Sequence, residues 1–118
     1  MNYLLVFIGG GIGSVMRFGV GKAFSKYFTQ FPLSTLISNF AACLIFALAI
    51  YYGAREMKNE WITPFLIIGL CGGFSTFSTF SFENFQLLQA GNYTLLLLNI
   101  LISIIPGILC FYLVSDKL

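Results

Sequence analysis

Four apolar runs, each long enough to cross a bilayer, constrain this chain more than any other feature. About 20 apolar residues wound as a helix cross the ~30 Å hydrocarbon core of a bilayer. The runs fall at about 3–20, 33–52, 61–89 and 93–114, joined by short polar connections at 21–32, 53–60 and the Gly91-Asn92 turn. Lipid offers backbone amides and carbonyls no partner, so segments of this kind span as helices. Charged residues make up only 8% of the 118, against about 25% in a soluble domain. The expectation is an all-α membrane protein with a single four-helix transmembrane domain over 1–118, crossing the membrane several times. The start, Met1-Asn2-Tyr3-Leu4, has no basic n-region, and no small-residue cleavage site follows its apolar run. It reads as a retained first span and not as a removed signal peptide.

Aromatic residues mark the same boundaries. Tyr3, Tyr51, Tyr52, Trp61, Tyr93 and Tyr112 sit at predicted span ends, and Tyr27 lies in a connection. Rings with a polar tip favour the headgroup level. The basic residues divide evenly between the two faces. Arg55, Lys58 and Lys117 fall on one side of four spans, and Arg17, Lys22 and Lys26 on the other. Orientation follows an excess of Lys and Arg on the cytoplasmic side, and here there is none. A chain without that bias inserts both ways, which predicts an antiparallel, dual-topology homodimer. The net charge of +2 gives no nucleic-acid footprint.

The third run departs from an ordinary span. Gly72-Gly73 is followed by Phe74, then by hydroxyls and phenylalanines in alternation from Ser75 to Phe82. Adjacent glycines and hydroxyl residues are weak helix formers, which predicts a break near 72–76 at mid-membrane. Such a break is tolerated only where the freed backbone lines a polar cavity or holds an ion. The stretch therefore reads as the functional centre.

The other runs carry polar and small residues at helical spacing. Gly9-x-x-x-Gly13 and Gly10-x-x-x-Ser14 suit close helix contact, and no strand precedes them to suggest a nucleotide loop. Ser34, Ser38 and Ala42 form a small-residue face on the second run, while Thr35 and Asn39 share another. Asn39 is either interhelical glue or a pore-lining donor. Arg17 is either an anchor snorkelling to the interface or the wall of a vestibule. Asn99, Ser103 and Gly107 recur every four residues on the fourth run, which Pro106 is placed to kink. That stripe is glue alone or one wall of a polar track. Cys43, Cys71 and Cys110 lie in apolar runs, and the chain has no histidine, so they read as free thiols with no metal cluster.

Three segments together resemble the Fluc (CrcB) family of fluoride channels. They are Gly72-Gly73-Phe74-Ser75-Thr76-Phe77-Ser78-Thr79-Phe80-Ser81-x-Glu83, Gly9-Gly10-x-x-Gly13-x-x-x-Arg17, and Phe31-Pro32-x-x-Thr35-Leu36-x-x-Asn39. Ser34 stands where the family usually has glycine, and Ala41-Ala42 where a glycine often follows the asparagine; all stay small. The resemblance implies a dual-topology dimer with two antiparallel fluoride pores in a microbial inner membrane. It implies a structural sodium ion at the dimer centre, held by the backbone carbonyls of Gly72 and Ser75 from each subunit. It implies a pore lined by Phe77, Phe80 and Asn39, with Thr35, Ser103, Ser78 and Thr79 contributing hydroxyls, and Arg17 in the vestibule. No role is assigned to Glu83.

These residue types suit fluoride. A small, strongly hydrated anion needs donors that replace water without trapping it. Amides, hydroxyls and the positive edges of aromatic rings meet that need. Phe77 and Phe80, three apart, share a face if the segment after the break is helical. Carbonyls bared by an unwound helix suit a hard cation such as sodium, although Ser75 and Thr76 hydroxyls could cap the same backbone without one. The rival reading is a small dual-topology multidrug or cation exporter, which needs a carboxylate at membrane depth in its first span; that span has none. The absence of histidine and of a plausible nucleophile–base pair argues against an enzyme.

Overall fold

The polar connections end where helices begin. A computed structural model describes residues 2–24, 31–55 and 60–115 of the chain. Helix α1 covers Asn2–Phe24, continuing past the predicted end at 20. Helix α2 covers Leu33–Arg55, and Pro32 accepts its first bond, from Leu36 N at 3.2 Å. The third run winds as a π-helix over Ile62–Cys71 and tightens into a short α3, Gly72–Phe74. Helix α4 follows at Phe77–Gln89 and α5 at Tyr93–Ser115, unbroken through Pro106. A 23-residue helix is ~35 Å long, enough to cross the hydrocarbon core. Among the described residues four helical stretches meet that requirement: Asn2–Phe24, Leu33–Gly53, Ile62–Gln89 and Tyr93–Ser115. Lys26, Tyr27, Lys58 and Lys117 lie outside the described residues.

Between α3 and α4 two residues are extended: Ser75 (φ −84°, ψ 158°) and Thr76 (φ −151°, ψ 121°). The glycine pair before them stays helical, so the departure is narrower than 72–76 and falls on the hydroxyl residues. The α4–α5 turn closes through Asn92 N to Leu87 O (2.9 Å) and Gly91 N to Leu88 O (3.1 Å), with Gly91 at φ +73°. That is the left-handed helix end glycine adopts without strain.

The interior is small and polar, and the exterior is apolar. Thr35 (6% exposed), Ser38 (1%) and Asn99 (1%) are buried with Ala42, Ala47 and Cys71, while Leu97, Ile105 and Leu109 are exposed. A soluble domain has the reverse arrangement; this one suits lipid outside and interhelical contact inside. Helix α1 packs against the π-helix and α3, α2 against α5, and α4 against α5. The first contact is glycine on glycine. A Cβ at Gly9 would fall on Phe65 O, and one at Gly73 on Gly10 O. Gly13, buried on the same side of α1, faces Leu70 O, as the Gly9-x-x-x-Gly13 spacing predicts. Ser38 and Ala42 bury the small-residue face of α2, and Phe46 meets Phe111 of α5 edge-on at 5.1 Å.

Candidate functional site

The extended residues are held by one side chain from another helix. Thr76 N donates to Asn39 Oδ1 at 2.8 Å, and Asn39 Nδ2 donates to Thr76 O at 3.3 Å. Asn39 thus grips both polar groups of one residue, as a neighbouring strand would. Its amide nitrogen has a second proton that Thr76 does not use. The hydroxyls of the extended pair also turn to the backbone. Ser75 Oγ donates to Cys71 O at 2.8 Å, and Thr76 Oγ1 accepts from Thr79 N at 3.2 Å, capping α4.

These contacts divert donors that a continuous α-helix would use. There, Thr76 N–H would close on Gly72 O and Thr79 N–H on Ser75 O. Both amides now point elsewhere, so both carbonyls lose their helical partner. The Gly73 carbonyl takes another donor, Arg17 Nε at 3.0 Å. Arg17 therefore reaches from α1 to the backbone beside the extended pair, which an interfacial anchor alone would not do.

Two cavities flank the extended pair, and Thr76 lines both. One, of about 550 Å³, is lined by Arg17, Lys22, Thr35, Ser38, Thr79 and Glu83, among others. Its lining carries two cations, Arg17 and Lys22, one acid, Glu83, and several hydroxyls. The other, of about 260 Å³, is lined by Asn39, Cys43, Ser75, Phe77, Phe80 and Ser103 with Thr76. The Phe77 and Phe80 rings lie 6.4 Å apart, tilted by 43°, with Phe77 81% exposed. The candidate residues thus divide into an Arg17 group with Thr35 and Thr79, and a phenylalanine group with Asn39 and Ser103. Ser78 is exposed, bonded to Thr76 Oγ1 at 3.2 Å, and lines neither cavity.

Several residues at the site were given no role there from the sequence. Glu83 accepts from Thr35 Oγ1 at 2.6 Å, while its Oε2 and the Ser38 hydroxyl are buried without a partner. The Thr35–Glu83 bond joins α2 to α4 across 48 residues, and nothing local announces it. Asn84 accepts from the buried Asn99 amide at 2.7 Å, an α4–α5 tie. Cys43 lines the phenylalanine cavity one turn beyond Asn39; the i, i+4 relation on one helix was the available clue. Among the described residues no cluster of His, Cys, Asp or Glu is arranged to hold a metal, so a cation at this site would depend on backbone oxygen.

A model of "CrcB-like protein, Camphor Resistance (CrcB)" matches residues 4–114. A "Fluoride-specific ion channel FluC" of Azobacteroides pseudotrichonymphae genomovar. CFP2 is 49% identical over 108 residues, covering 87% of this chain and 84% of its own. Proteins of the same name from Flavobacterium psychrophilum and Pyrococcus abyssi are 42% identical over 106 residues and 38% over 112. The first alignment covers 86% of this chain and 84% of the relative, and the second 93% and 89%.

Proposed function

The chain belongs to the CrcB-like family, and on that footing we propose that it is a fluoride channel, passively exporting the anion across a cell membrane and so lowering cytoplasmic fluoride. It is a transporter and not an enzyme. The observation that carries the reading is the extended Ser75–Thr76 pair, clamped by Asn39 between a cavity that holds Arg17 and Lys22 and one edged by phenylalanine. In this reading the pair is a mid-membrane break in the third span. Arg17 and Lys22 raise the local anion concentration at the mouth. The hydroxyls of Thr35 and Thr79 and the free proton of Asn39 replace water stepwise, and Phe77 and Phe80 offer ring edges beyond. Neutral donors release the ion, where a cation at the constriction would hold it. Ser78 joins the path only if its side chain turns from Thr76.

The active unit in this proposal is an antiparallel homodimer of dual topology. The exposed Phe77 ring and the exposed Gly72 suit a face completed by a second copy. A structural sodium ion at the dimer centre fits the donor set: Gly72 O and Ser75 O both lack their helical donors, and hard cations take oxygen ligands. When bound, the ion would hold those carbonyls together and offset their dipoles. The chain's own residues keep the carbonyls free, Asn39 by diverting Thr76 N–H and Thr76 by capping Thr79 N–H.

The test is efflux from liposomes holding the purified protein, loaded with fluoride or chloride. Fluoride efflux without chloride efflux, independent of a pH gradient, is expected. Proton-coupled uptake of a hydrophobic cation, or equal leakage of both anions, overturns the reading.

A further inference from the structure

We infer that Asn99 is a positioning residue for the anion path: its side-chain carbonyl holds the Ser103 hydroxyl proton loosely and off the helix backbone, where an anion in the phenylalanine cavity can take it. The inference rests on the fluoride reading above. Ser103 lines that cavity with Asn39 and Phe80. A hydroxyl has one proton to donate. Directed at the cavity, that proton stabilises an anion; directed elsewhere, it leaves only lone pairs, which repel one. The acceptor that holds the proton at rest therefore sets how readily Ser103 serves.

A serine inside a helix commonly gives its proton to the backbone carbonyl four residues back, which for Ser103 is that of Asn99. Here Ser103 Oγ donates instead to Asn99 Oδ1, at 3.4 Å. Good O–H···O bonds are about 2.7–2.8 Å, so this hold is weak. The acceptor does not drift, because Asn99 is 1% exposed and its Nδ2 donates to Asn84 Oδ1 of α4 at 2.7 Å. One tight bond anchors the amide, and one slack bond parks the serine. No proton leaves Ser103 in the process; the hydroxyl only rotates.

Fluoride efflux from proteoliposomes tests this with a mutant cycle. In the Ser103 background, Asn99→Leu frees the hydroxyl to bond the backbone, and efflux should slow about tenfold. In a Ser103→Ala background the same substitution should change efflux by less than about twofold, the usual error of additivity. Asn84→Ala, which releases the Asn99 anchor, should slow efflux less, with the same dependence on Ser103. If Asn99→Leu fails to assemble, Asn84→Ala decides by that comparison. Ser103→Ala alone should slow efflux, and a silent Ser103→Ala would show that the anion does not use this hydroxyl and would overturn the inference. Equal slowing in both backgrounds, or none with Ser103 present, overturns the inference and leaves the fluoride reading standing. A wild-type protein without fluoride efflux overturns both.

Discussion

Replacing Asn39 by leucine tests what keeps residues 75 and 76 extended. The substitution removes an acceptor 2.8 Å from Thr76 N and a donor 3.3 Å from Thr76 O. Stranding the half-buried Thr76 amide costs about 1–3 kcal/mol, and losing the longer bond to Thr76 O adds about 0.5 kcal/mol. The extended state should lose about 2–3 kcal/mol against a continuous helix, in which Thr76 N–H returns to Gly72 O. That is roughly thirtyfold to more than a hundredfold in the equilibrium. Fluoride efflux should fall, by that factor at most, since any surplus stability of the extended state is consumed first. Amide exchange at Thr76 should change with it, since the donor moves from a side chain to a helical carbonyl. Asn39→Asp separates the two roles of the residue: it keeps an acceptor for Thr76 N–H, so exchange there stays near wild type, but it sets a carboxylate in the path and efflux still falls. Wild-type efflux together with wild-type exchange in Asn39→Leu would refute the reasoning.

Other substitutions probe the frame. Gly13→Ala places a methyl on Leu70 O and 2.7 Å from Phe74 N, so it should destabilise the protein by about 1–3 kcal/mol, measured by thermal denaturation in detergent. Gly11→Ala meets nothing within 4 Å and should be neutral or stabilising in the same assay. Phe80→Ile should cut fluoride efflux sharply with assembly unchanged on size exclusion, because the ring edge goes while the bulk stays. Thr35→Ala leaves Glu83 without the 2.6 Å donor, beside an Oε2 already unpartnered, and should cost about 1.5–3 kcal/mol of stability.

The spans were legible because lipid demands long apolar helices, and the glycine contact because small residues four apart permit close approach. Thr35 and Asn39 were readable as one face of α2, and both do meet the chain after Phe74. Their partners were not readable. Glu83 and Thr76 lie 48 and 37 residues away from them, and such pairs arise only when helices pack. The glycine pair misdirected attention in part. Gly73 is required for contact with Gly10, while the extended conformation falls on Ser75 and Thr76, where hydroxyls and Asn39 replace helical bonds. The π-helical winding of Ile62–Cys71 had no signal, since an apolar run reads alike in either coil. The division of the candidate residues between two cavities is likewise a property of packing.

The most direct test is an experimental density map of the purified protein in lipid, with sodium and fluoride present. The account predicts two inverted subunits, residues 75 and 76 extended in each, and one ion density between the Gly72 and Ser75 carbonyls. Subunits running parallel, or an uninterrupted helix through residue 76, would contradict it.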